Sequence, residues 1–133
     1  MTEITTHEHD VVIIGAGGAG LRAAIEASSR GVSVAMISKS MLGKAHTVMA
    51  EGGAAAALAN KDPRDSWEVH FRDTMKGGKY LGDWRMARIH AQQAPDRIRE
   101  LEQWGAVFDR TPKGLTSQRN FGGHTYPRLA HIG

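Results

Sequence analysis

Apolar positions along this chain change their period in ways that mark successive elements. Val11-Val12-Ile13-Ile14 is an unbroken β-branched run stopping at Gly15, the pattern of a buried parallel strand. From Gly18 to Arg30 the period lengthens. Leu21, Ala24, Ile25 and Ser28 recur at i, i+3, i+4 and i+7, with Arg22, Glu26 and Arg30 off that stripe, which predicts a helix closed by Gly31. Val32 to Ile37 predicts a second strand, so residues 11–38 make one strand-helix-strand crossover. Ser38 to Ala45 predicts a loop. The Ala-rich run Ala54 to Ala59 predicts a short helix whose N-terminus faces that loop. Asp62-Pro63 predicts a helix start, with an apolar stripe of Trp67, Phe71, Thr74 and Met75 running to Gly77-Gly78. Asp83 to Ala94 predicts a further helix and Pro95 to Trp104 another, with Ile98, Leu101 and Trp104 facing inward. Val107 to Asp109 and Leu115 to Asn120, separated by Thr111-Pro112-Lys113-Gly114, predict a short hairpin.

These elements predict an α/β chain with a Rossmann-like beginning. At 133 residues it makes at most one domain of ordinary size. A doubly wound sheet needs more parallel strands than the two predicted here, and the last residues, Leu129 to Gly133, lack a polar tail. The expectation is an incomplete domain, the N-terminal portion of a longer protein. Within residues 1–133 it divides into a dinucleotide unit at 10–38, a loop segment at 39–60, a helical region at 62–104 and a hairpin region at 105–133.

Composition narrows the chemistry. Without cysteine there is no disulfide, no thiolate nucleophile and no Cys-ligated zinc or iron-sulfur cluster within the chain. Residues 1–10 carry Glu3, Glu8 and Asp10 and lack the basic start and apolar run of a secretory signal, and no stretch approaches the roughly 20 apolar residues that cross a bilayer. The expected location is cytoplasmic. A net charge of +3, with Lys and Arg spread from Arg22 to Arg128 among nearly as many acids, is no nucleic-acid footprint.

Gly15-Ala16-Gly17-Gly18-Ala19-Gly20 follows a predicted strand and opens a predicted helix, the context that gives a GxGxxG spacing its meaning. Gly15 serves a tight turn, Gly17 the approach of backbone to a pyrophosphate, and Gly20 close helix-strand contact, while the helix N-terminus points N–H groups at phosphate. The Asp or Glu that holds a ribose at the end of the second strand is missing. Ile37-Ser38-Lys39-Ser40 stands there instead, with Ser38 suited to a ribose hydroxyl and Lys39 to phosphate, which argues against a standard NAD site. His46, in Ala45-His46-Thr47-Val48-Met49-Ala50-Glu51-Gly52-Gly53, reads as a metal ligand, a general base, a buried structural histidine or an attachment nucleophile. No second His or carboxylate lies at metal spacing from it, so no metal site is expected. His7, His9, His70, His90, His124 and His131 have no evident catalytic constellation.

Val11 to Gly20, His46-Thr47-Val48, Ala50-Glu51-Gly52-Gly53, His70-Phe71 and Asp73-Thr74 together resemble the flavoprotein subunit of succinate dehydrogenase and fumarate reductase. Lys76-Gly77-Gly78, Leu81-Gly82-Asp83, Ala94-Pro95, Leu101-Glu102, Gly105 and Arg119-Asn120-Phe121-Gly122-Gly123 continue the resemblance in order and spacing. Gly43-Lys44-Ala45-His46 and His124-Thr125-Tyr126-Pro127-Arg128 bring it nearest the actinobacterial succinate dehydrogenases. The resemblance implies a Rossmann-like FAD-binding domain with FAD joined covalently through a ring nitrogen of His46 to the flavin 8α-methyl. It further implies cofactor contacts from Gly15, Ala16, Gly17, Gly18, Ala19, Gly20, Ser38, Lys39, Ala45, Thr47, Ala50, Glu51, Gly52 and Gly53, and substrate contacts from Gly52 and Phe121.

The implied activity is oxidation of succinate to fumarate by hydride transfer to FAD, with electrons leaving through an iron-sulfur subunit to quinone. Membrane anchor subunits and a peripheral place on the cytoplasmic face of the membrane are implied as well. By the same resemblance the catalytic acid and the carboxylate clamps lie beyond residue 133, so this chain alone is expected to be inactive. Glu51 leaves the direction of reaction open. The alternatives are a fumarate reductase flavoprotein, an L-aspartate oxidase-like flavoenzyme with non-covalent FAD, which His46 weighs against, a non-catalytic FAD-binding fragment and, more distantly, a non-flavin NAD module.

Overall fold

A computed structural model describes residues 4–133; Glu3, in the polar segment read at the N-terminus, lies outside the described residues. The described residues form two compact units that divide between Glu51 and Gly52.

In the first unit, β1 (Val11–Ile14) and β2 (Val34–Ile37) pair in parallel, with Val11 opposite Val34 and Ile14 opposite Ile37. They flank α1 (Gly18–Ser29). The predicted crossover is therefore present, with β2 two residues shorter at its start than the apolar run suggests, but β1 is not the buried strand expected: with a single neighbouring strand, Val12 and Ile14 are exposed. Gly31 takes φ +79 just past the helix, and its N–H donates to the Ser28 carbonyl at 3.0 Å, which satisfies an end-of-helix acceptor. Asp10 ties the two strand entrances together, accepting from the Ser33 N–H at 2.8 Å and its hydroxyl at 2.7 Å. The hydrogen bonds from Ser33 hold the Asp10 carboxyl below its ordinary range. The predicted stripe of α1 is only partly covered, since no residue of that helix is fully buried.

In the second unit a three-stranded antiparallel sheet has β5 (Leu129–Ala130) at its centre, between β3 (Ala54–Ala55) and β4 (Gln118–Arg119). Its core is Ala56, Ala94, Ile98, Phe108 and Ala130, with Leu58 and Ala106 packed against it. The predicted helix over Ala54 to Ala59 does not form. Ala54 and Ala55 pair with Ala130 and Leu129, the Ala56 N–H donates to the Arg128 carbonyl at 2.9 Å, and the Gln118 amide donates to the Ala56 carbonyl at 2.7 Å. The alanines serve close packing instead of helix propensity, and Ala56 is fully buried.

Helix α2 (Trp67–Gly77) starts later than Asp62-Pro63. Asp62 instead closes a turn, its carboxylate accepting from the Arg64 guanidinium and backbone N–H, which hold its pKa down to about 2. Ser66 is the N-cap, its hydroxyl accepting from the Val69 N–H at 3.4 Å. The predicted stripe of α2 is displaced too: the fully buried side chains are His70 and Asp73, with Phe71 and Met75 only half-buried. The two helices predicted on either side of Pro95 are one helix, α3 (Trp84–Gln103). Ala91, Ala94 and Ile98 form a single buried stripe across the proline, so burial of a shared face outweighs the one backbone hydrogen bond Pro95 cannot make. Leu101 and Trp104, predicted to face inward, are 39% and 50% exposed at the C-terminal end of that stripe.

The predicted hairpin is reduced to a single bridge between Arg110 and Thr116 around the Thr111–Gly114 turn. Gln118 and Arg119 pair with β5 instead of with Val107 to Asp109, because β5 offers both its edges.

Candidate functional site

The Gly-rich loop has the geometry its spacing predicts. Gly15 sits at φ +106, a conformation that favours glycine, and its N–H donates to the Ile37 carbonyl at 2.8 Å, which turns the chain from β1 into α1. A Cβ at Gly20 would drive into the Gly15 carbonyl oxygen and touch Ile13. Gly20 is thus the point of close helix-strand contact. Gly17 is the N-cap and has no side chain of its own to cap the helix, and no acidic residue occupies the first turn, so the positive dipole end of α1 faces no competing carboxylate.

The segment after β2 folds back onto this loop. His46–Met49 is one 3-10 turn, and the Thr47 hydroxyl accepts from the Gly18 N–H at 2.9 Å. Side chains at Gly17 or Gly18 would press on Thr47, with a Cβ at either 3.3 Å from it. Beside the loop an open cavity of about 220 Å³ is lined by Ala16, Leu21, Gly43, Ala45, Thr47 and Val48.

Of the predicted cofactor residues, Gly15 to Gly20, Ala45 and Thr47 are brought together around α1 and this cavity. His46 is exposed on the 3-10 turn, next to the Thr47 that bonds the helix. Ser38 is half-buried and accepts from the Ser40 N–H at 3.4 Å, while Lys39, Ala50 and Glu51 are exposed. Small residues and a helix N-terminus free of acids suit a dinucleotide, so the residues present fit FAD.

In the second unit Gly53 sits at φ +101 with a Cβ position blocked by the Ala130 carbonyl, so β5 alone already requires glycine there. The Arg119 guanidinium donates to the Gly52 carbonyl at 2.9 Å, and Phe121, two residues on, is 61% exposed and no core residue. Gly52 and Phe121, the two predicted substrate contacts, are thereby linked through β4.

Sequence reasoning missed the most buried polar cluster. Arg128, with no exposed surface, donates to Asp65 at 2.8 Å and pairs with Asp73 at 2.9 Å. Burial raises the Asp65 carboxyl although Arg128 opposes it. At Asp73 burial acts upward, but hydrogen bonds from the Thr125 N–H and hydroxyl, with Arg128, bring its carboxyl below the ordinary range. Beside them, burial and the Arg128 charge push the His70 imidazole down to about 4. Asp73 and Thr125 also line, with Lys76, Lys79 and His124, a cleft of about 390 Å³. The signal in the sequence was the charge of Asp65, Asp73 and Arg128 in otherwise half-apolar segments, which local periodicity does not interpret. Among the described residues no group of three or more His, Asp or Glu could hold a metal ion, and no helix is long and apolar enough to cross a membrane.

A profile described as the FAD binding domain matches residues 10–133. The chain is 52% identical over 132 residues to a fumarate reductase (CoM/CoB) subunit of Methanothermobacter marburgensis, covering 98% of this chain and 24% of that protein. It is 47% identical to the succinate dehydrogenase flavoprotein subunit of Rickettsia bellii, covering 92% of this chain and 20% of that protein. Among solved structures, Mycobacterium smegmatis Sdh1 in complex with UQ1 superposes with a TM-score of 0.93 at 69% identity, over 96% of this chain and 21% of that one. The chain thus spans between a fifth and a quarter of the length of these relatives.

Proposed function

This chain belongs to the FAD binding domain family, and from that membership we propose that it forms the flavin-attachment part of a succinate dehydrogenase flavoprotein. The observation that carries the reading is the Gly18 to Thr47 hydrogen bond of 2.9 Å, which lays the His46 turn against the N-terminus of the dinucleotide helix. Gly15, Ala16, Gly17, Gly18, Ala19 and Gly20 would hold the pyrophosphate, Ser38 and Lys39 the ribose and phosphate side, and Ala45, Thr47, Ala50, Glu51, Gly52 and Gly53 the flavin. His46 would carry the covalent bond, and Gly52 and Phe121 would meet the dicarboxylate. Bound FAD supplies a two-electron acceptor for the interconversion of succinate and fumarate. The resemblance supports partners as well: membrane anchor subunits, an iron-sulfur subunit and, through them, quinone, with a peripheral place on the cytoplasmic face of the membrane.

Mass spectrometry of the tryptic peptide beginning at Ala45, taken from the purified enzyme, tests the attachment. The peptide is expected to carry the mass of FAD, and His46→Ala is expected to abolish in-gel flavin fluorescence after denaturation. An unmodified wild-type peptide would falsify covalent attachment. The 52% identity to a fumarate reductase favours a second reading, the same chemistry run toward succinate. Comparing succinate oxidation with fumarate reduction in the purified enzyme separates the two directions.

A further inference from the structure

The turn that carries Phe121 is pinned on both sides, and one of the pins is a carboxylate that no part of the flavin reading uses. On one side Arg119 donates to the Gly52 carbonyl at 2.9 Å. Between them the His124 N–H donates to the Phe121 carbonyl at 3.1 Å, which closes the turn. On the other side both oxygens of Asp73 are engaged by one residue, Thr125, whose N–H donates at 2.8 Å and whose hydroxyl donates at 2.7 Å. Asp73 in turn is paired at 2.9 Å with Arg128, which has no exposed surface and is gripped by Asp65. A carboxylate that accepts two hydrogen bonds from one residue while paired to a buried guanidinium has little freedom to rotate. The backbone of Arg128 also holds Ala56, three residues past Gly53, through the 2.9 Å bond from the Ala56 N–H.

We infer that Asp73 is a positioning residue: through Thr125 it fixes the Phe121–His124 turn beside the backbone of Gly52. Its consequence for binding rests on the proposed role of Phe121 as a dicarboxylate contact. Asp73 is given no part in holding cofactor or dicarboxylate here: its partners are Thr125 and Arg128, and it acts by setting where the Phe121 ring stands.

The test uses the purified enzyme with its cofactor bound and compares wild type with Thr125→Val, Thr125→Ser and Asp73→Asn. Thr125→Val removes the hydroxyl donor and keeps the N–H, so the fold is retained even where Asp73→Asn disturbs the buried pair. Hydrogen exchange of residues 121–125 is expected to quicken in Thr125→Val and to return toward wild type in Thr125→Ser. The KM for succinate is expected to rise roughly tenfold with kcat much less affected, as loss of one charge-assisted hydrogen bond implies, while covalent flavin fluorescence stays at the wild-type level. Unchanged exchange in Thr125→Val overturns the inference, and so does quickened exchange with an unchanged KM. A wild-type enzyme without dicarboxylate activity removes the proposed function instead, and the exchange measurement still reports on the pin.

Discussion

Gly20 and Gly31 are both glycines near the ends of α1, yet different physics holds each in place. At Gly20 the obstacle is steric, since a Cβ would drive into the Gly15 carbonyl oxygen. At Gly31 nothing lies within 4 Å of a Cβ, and only its φ of +79 disfavours a side chain. Gly31→Ala is therefore expected to cost about 1 kcal/mol, the ordinary penalty of a left-handed L-residue. Gly20→Ala is expected to cost roughly 2–4 kcal/mol, because the helix must move off the strand. Urea unfolding of the two variants checks this, and equal losses would remove the steric explanation. The predicted roles of these glycines were legible because each is imposed by atoms close in sequence. The glycine at Gly53 was legible only as a flavin contact, although Ala130, far along the chain, supplies a sufficient reason for it.

At the scale of elements, α3 shows how burial overrides a local signal. Pro95 lacks the N–H that would bond the Ala91 carbonyl, yet the helix runs from Trp84 to Gln103 because Ala91, Ala94 and Ile98 share one buried face. Pro95→Ala restores the missing bond in a backbone that is already helical. It is expected to stabilise the chain by roughly 1–3 kcal/mol, read as a higher urea midpoint with an unchanged m-value. A lower midpoint would mean that the proline ring itself contributes packing. The reverse case is Ala54 to Ala59, where good helix formers become an extended segment because β5, Gln118 and Arg128 supply its backbone partners.

For the whole molecule, the buried cluster makes stability depend on pH. Burial, then the Arg128 charge, lowers the His70 imidazole to about 4, against 6.5 for an ordinary histidine. The folded state keeps His70 neutral while the unfolded chain takes up a proton. The contribution is thus fully present above pH 6.5 and is lost as pH falls from there toward 4. Its size is on the order of 2 kcal/mol, less than the whole shift would give, because nearby solvent screens part of the cluster. His124, lowered by burial and by Arg128, acts in the same direction. Asp65, raised by burial, acts in the opposite sense. Urea unfolding between neutral pH and about pH 4.5 is expected to show the fall, and His70→Gln is expected to flatten it. An equal pH slope in that variant would place the titration elsewhere.

The sequence by itself determined the crossover of β1, α1 and β2 and the conformation of the Gly-rich loop, since β-branched runs, helical period and glycine at φ +106 act over a few residues. It also determined the family, because the motifs of residues 10–133 lie along the chain in order. Only the tertiary structure decided the strand at Ala54, the unbroken α3 and the Asp65, Asp73 and Arg128 cluster. The strand and the cluster depend on partners dozens of residues away, and α3 on a face that is buried only when the rest of its unit packs against it. A buried charge or a paired alanine has a meaning only once its partner is in place.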